Sequence, residues 1–138
     1  MKPSDWEECI ENNFAIKRSK NKKKAESLKK IAHGRLSFIG KISITRENAN
    51  YVFEDYYSSI SELIHALAYT KGFKILNHVC LGFFLREFIK REDLYRLFDD
   101  LRYKRNALVY YGEEMDFDVC MDAIEKSKKI NKRAGSTP

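Results

Sequence analysis

Two prolines in 138 residues, both near the ends, and only six glycines leave few positions at which a helix has to stop. So little punctuation argues against a turn-rich β fold and for long helices. No apolar stretch approaches the roughly 20 residues needed to span a bilayer before Lys, Arg or Glu interrupts it, so no membrane association is expected. The first residues, Met1 to Glu8, carry acids and lack the apolar core of a signal peptide, which predicts a cytoplasmic protein. Cysteine is scarce as well. Cys9, Cys80 and Cys120 are odd in number, far apart and each next to an apolar residue, a pattern that predicts reduced core thiols and not a disulfide frame or a zinc site. No histidine pair has metal-ligand spacing, and neither a Gly-rich phosphate loop nor a Ser/His/Asp constellation is present, so no metal and no cofactor are expected.

What the chain does have is apolar and aromatic mass. A hydrophobic fraction of 43% and an aromatic fraction of 13% exclude a disordered chain. At this length, folding hides about two thirds of the surface that the unfolded chain exposes. The basic residues are concentrated: Lys17, Arg18, Lys20, Lys22, Lys23, Lys24, Lys29 and Lys30 face one acid, Glu26, so a segment of +7 sits in a chain of net charge +6. The rest of the chain is nearly neutral. Such a patch either attracts phosphates through counterion release or is a solvated helix start.

Apolar periodicity predicts six helices. Ser4 and Glu7 form a capping-box pattern ahead of Trp6, Cys9, Ile10 and Phe14. The lysine cluster then interrupts, and Leu28, Ile31, Ala32, Leu36, Ile39 and Ile42 mark a second helix. Thr45 is placed to cap a third, carrying Val52, Phe53, Tyr56, Ile60, Leu63, Ile64 and Leu67 on one face, with Lys71-Gly72 as its C-terminal cap. A fourth starts at Asn77 and holds the most apolar run. The fifth runs from Glu92-Asp93 to Gly112, and Asp116 opens the last. The predicted fold is all-α, an antiparallel, up-and-down bundle of four to six helices. Residues 1–133 form a single domain with its basic segment at 17–30, and residues 134–138 form a disordered tail.

Within the fifth helix, Leu94, Phe98, Leu101, Arg105 and Leu108 follow a 4,3,4,3 spacing, which puts a permanent charge in line with an apolar stripe. Either Arg105 pairs with a carboxylate of a neighbouring helix or snorkels to water, or it faces a solvated site. Arg102, Asn106 and Tyr110, spaced by four, project beside it. Two guanidinium groups, an amide and a phenol suit a phosphodiester, and Tyr103, Tyr110 and Tyr111 offer faces on which bases stack.

The stretch Arg102-Tyr103-Lys104-Arg105-Asn106-Ala107-Leu108-Val109-Tyr110-Tyr111-Gly112 resembles the motif of HEPN domains, in which an Arg followed by a polar residue is separated from a His by four to six residues. The segment from Tyr56 through Phe73, with His78 and the apolar helix after it, resembles the central helices of that family, so the likeness covers about residues 50 to 130. It implies a four- or five-helix bundle that dimerises about a shared cleft. Many members are metal-independent endoribonucleases, including toxins paired with a small nucleotidyltransferase antitoxin; others bind RNA without cutting it. Carried over by position, Arg105 matches the motif Arg, Asn106 the polar residue after it, and Tyr110 the His.

That last position departs from the motif. A His takes a proton from a ribose 2′-hydroxyl near neutral pH, whereas a Tyr near its usual pKa of roughly 10 is mostly a donor. None of the three histidines follows Arg105. His33, His65 and His78 are each expected in structural or surface roles, with His78 weighed as a lining of the site. The expectation is therefore an RNA- or nucleotide-binding homodimer with Arg105, Asn106 and Tyr110 at its centre, Arg102, Tyr111, Lys22, Lys23 and Lys24 as further nucleic-acid contacts, and weak or absent cleavage. The alternatives are an active endoribonuclease of toxin type and a noncatalytic partner of a small nucleotidyltransferase. No helix-turn-helix pattern supports a sequence-specific DNA-binding protein.

Overall fold

The structure, a computed structural model, describes residues 2–135. Helices dominate it: α1 (Trp6–Glu11), α2 (Lys22–Ile39), α3 (Ala49–Lys71), α4 (His78–Phe83), α5 (Glu92–Tyr111) and α6 (Phe117–Gly135), with two short strands, β1 (Ala15–Lys17) and β2 (Phe73–Ile75). Helix α3 is the axis of the bundle. It packs against α2 and α6, and α6 also packs against α5. All seven positions predicted for its apolar face, Val52 to Leu67, are buried.

The caps explain where the elements start and stop. Asn77 accepts from the Cys80 N–H at 2.8 Å and opens α4. Gly72 and Gly112 both adopt the left-handed conformation, with φ of 87° and 64°, and end α3 and α5 where glycine predicts. Thr45 and Asn48 exchange side-chain bonds with each other's backbone N–H at 3.1 and 2.8 Å, so the cap predicted at Thr45 operates three residues ahead of the N-cap Asn48. At α1 the cap is Asp5 and not Ser4: its carboxylate accepts from Glu8 N–H, while Ser4 donates through both its N–H and its hydroxyl to the Glu8 carboxylate.

Several expectations need correction. The lysine cluster does not interrupt a helix; Asn21 accepts from Lys24 N–H and starts α2 at Lys22, so Lys22, Lys23 and Lys24 form its first turn. Ile31 lies on the exposed side of α2. The two strands, three residues each, pair antiparallel with Ala15 opposite Ile75 and Lys17 opposite Phe73, and are too short to announce themselves by alternation. After Phe83 the chain widens into a π-helical turn, Phe84–Phe88, in which Ile89 N–H bonds Phe84 O, and this carries Phe88 out to a half-exposed position. Helix α6 continues through Ala134 and Gly135 of the predicted tail, the rest of which lies outside the described residues.

The cysteines give the largest correction. Cys9 and Cys80 are both fully buried and joined as a disulfide between α1 and α4, leaving Cys120 alone as a buried thiol. Neighbouring apolar residues reveal burial, but pairing needs the Cα atoms of two residues 71 positions apart to stand 6.0 Å from each other, which only the fold supplies.

Candidate nucleic-acid interface

Three parts of the chain meet at the C-terminal half of α5. Arg102, Arg105, Asn106 and Tyr110 project from the helix; Asn77 and His78 come from the start of α4; Lys2 and Pro3 come from the N-terminal segment. Together they line a cavity of about 370 Å³. Its position is fixed from beneath. Leu94, Phe98 and Leu101, the apolar stripe leading to Arg105, are fully buried, and beyond Gly112 the Asn50 side chain of α3 holds Met115 at both its N–H and its carbonyl, at 2.9 and 3.1 Å.

Arg105 has no carboxylate in ion-pair reach among the described residues, so the pairing alternative is set aside. Its guanidinium stands over the ring of Tyr57 and over that of Tyr110, 5.5 Å from each centroid. Long contacts of 3.3 and 3.4 Å run from it to the Asn106 side-chain oxygen and the Tyr110 hydroxyl. A cation seated on aromatic rings and weakly bonded to neutral groups keeps donors to offer an anion. Arg102 differs. It is held by Asp99 at 3.0 Å, one turn back, so most of its charge is already answered.

Below Arg105 lies a pair, the buried Tyr57 and the half-buried His78, that sequence reasoning did not assemble. The Tyr57 hydroxyl is 2.7 Å from Nδ1 of His78, and the two rings stack at 5.5 Å. Burial holds the Tyr57 phenol well above its usual range, against the pull of Arg105 and Arg102, so it stays protonated. Burial, followed by repulsion from Arg105, His65 and Arg102, lowers the His78 pKa from 6.5 to about 4, so its ring is neutral at physiological pH. The unfolded chain then binds a proton that the folded chain refuses. The His78 contribution is fully present above about pH 6.5 and is lost as the pH falls toward about 4. Urea midpoints compared at neutral and mildly acid pH should fall less in His78→Asn than in wild type. An equal fall in both would contradict this.

The remaining predicted residues separate into two places. Tyr111 is 76% exposed and lines an adjoining depression with Tyr103, which is 75% exposed; Tyr110, at 67%, borders both hollows, so three aromatic faces are open to stacking. Lys22, Lys23 and Lys24 are exposed but lie elsewhere. Lys24 sits over the Tyr69 ring and, with Arg18 and Lys74, lines a separate hollow at the far end of α3. Tyr57 and Tyr69 are twelve residues apart on that helix, about 18 Å along its axis. The lysines therefore do not enter the Arg105 cavity. In a larger hollow of about 720 Å³ beside Trp6, Arg86 pairs with Glu87, and Glu87 accepts from the Trp6 N–H.

No protein family, curated protein or solved structure matches this chain. Among the described residues, no helix is long and apolar enough to cross a membrane, and no three His, Cys, Asp or Glu side chains are grouped to hold a metal ion.

Proposed function

We propose that this chain is an HEPN-like RNA- or nucleotide-binding protein of ribonuclease ancestry, acting as a homodimer through its Arg105-Asn106-x3-Tyr110 site, with cleavage weak or absent. The observation that carries the reading is the Arg105 guanidinium, free of any carboxylate in ion-pair reach among the described residues and facing a cavity bordered by the exposed Tyr110, with Tyr103 and Tyr111 in the adjoining hollow. A phosphate oxygen supplies the negative partner that Arg105 lacks, and flanking bases find the faces of Tyr103, Tyr110 and Tyr111.

Weak cleavage follows from the proton inventory. Tyr110 stands at the motif's His position, and His78, with a pKa of about 4, is too weak a base to draw the proton from a ribose 2′-hydroxyl efficiently. The up-and-down HEPN topology and a dimer cleft bringing two Arg105 side chains together belong to the same reading. So does a cytoplasmic location, where the Cys9–Cys80 bridge would meet a reducing environment of the kind in which disulfides are rare.

The test is binding of a labelled single-stranded RNA to the full chain in the presence of a chelator. Arg105→Ala should weaken binding about tenfold, the worth of one charge-assisted phosphate contact. Unchanged affinity would contradict the proposal. Strand scission that Arg105→Ala abolishes would replace it with the active ribonuclease.

A further inference from the structure

The cavity beside Arg105 has one wall that the motif does not supply. His78 reaches it from α4, not α5. The Tyr57 hydroxyl is the group at Nδ1, 2.7 Å away. Ser61 Oγ, one turn further along α3, is buried near the phenol without a hydrogen bond of full geometry. In one of the two neutral tautomers of the ring the phenol donates to Nδ1. Nδ1 is then the acceptor, and the ring hydrogen resides on Nε2. Asn77 keeps this geometry by capping α4 through Cys80 N–H, so His78 leaves a fixed helix start.

Resting on the reading of the cavity as a phosphate site, we propose that His78 is a further binding residue: its Nε2–H, fixed by the Tyr57 hydroxyl at Nδ1, donates to a phosphate oxygen held by Arg105. The site is then almost entirely made of donors. Arg105, Tyr110 and His78 all line it, and the side-chain oxygen of Asn106 is turned toward Arg105. A ligand group composed only of acceptors, such as a phosphodiester, satisfies all of them at once.

Two substitutions separate this role from a structural one. The Asn side-chain oxygen lies as many bonds from Cβ as Nδ1 does, so His78→Asn keeps an acceptor for Tyr57 but has nothing at the Nε2 position. The Gln amide nitrogen lies as many bonds from Cβ as Nε2, so His78→Gln restores the cavity donor and disturbs the Tyr57 bond. Binding of a short labelled single-stranded RNA to the full chain, at one low salt concentration, should weaken about tenfold in His78→Asn and stay within about threefold of wild type in His78→Gln. Affinity retained by Asn and lost by Gln would mean that His78 only supports Tyr57, and would overturn the inference. If both His78 variants bind as wild type while Arg105→Ala is weakened, the inference fails and the RNA reading stands; if Arg105→Ala also binds as wild type, both fail. Should a variant not fold, the wild-type His78 ring resonances followed by NMR decide the matter. They should shift with the same dissociation constant as RNA binding, and an unmoved ring would overturn the inference.

Discussion

Tyr57→Ala is expected to cost about 3–5 kcal/mol of stability, the largest effect of any single substitution around the site. The ring is 2% exposed, stacks with Phe98 at 5.6 Å and His78 at 5.5 Å, tilts against Phe53 and lies beneath the Arg105 guanidinium. Truncation removes the ring on which Arg105 and His78 rest together with a large part of the core between α3 and α5. Tyr57→Phe keeps the ring and removes only the hydroxyl, leaving His78 Nδ1 without its partner, and should cost about 1–2 kcal/mol. Urea denaturation of the two variants separates packing from hydrogen bonding. A loss in Tyr57→Ala no greater than that in Tyr57→Phe would mean that the ring does not support the fold as described.

Cys9→Ser or Cys80→Ser should lower stability by about 2–4 kcal/mol, because the bridge closes a loop of more than seventy residues whose closure entropy the unfolded chain would otherwise retain. The bridge joins α1 to the helix start that presents Asn77 and His78. Its loss should also loosen the N-terminal segment, where Lys2 and Pro3 complete the cavity wall. Wild type treated with a dithiol reductant should unfold at the same urea concentration as the double serine variant. Identical midpoints for oxidised wild type and the variants would contradict this.

Much of the helical frame was legible because its signals are local. Asn77, Gly72 and Gly112 act within one turn of where they stand, and the α3 stripe from Val52 to Leu67 needs only the helical period. The two strands were not, because three residues hold too few alternations and their pairing joins positions about sixty apart. The disulfide failed for the same reason, and so did the contact of Tyr57 with His78, where a residue outside the predicted α3 stripe and a histidine 21 positions later make a part-buried polar pair. The Arg105 anomaly was readable because a charge on an apolar stripe is visible in one helix. Its lack of a carboxylate partner was not, since any acid in the chain was a candidate. Arg102 and Lys24 were legible as charges but their surroundings were not: Arg102 lines the cavity with Arg105 while pairing with Asp99, and the length of α3 separates Lys24 from it.

The central claim is that the ligand phosphate is met at Arg105. NMR titration of the full chain with single-stranded RNA tests it most directly. The Arg105 Nε–H, the Asn106 side-chain amide and the His78 ring should shift together and saturate with one dissociation constant. Shifts confined to Lys22, Lys23 and Lys24, with Arg105 unmoved, would contradict it and assign the RNA to the basic first turn of α2.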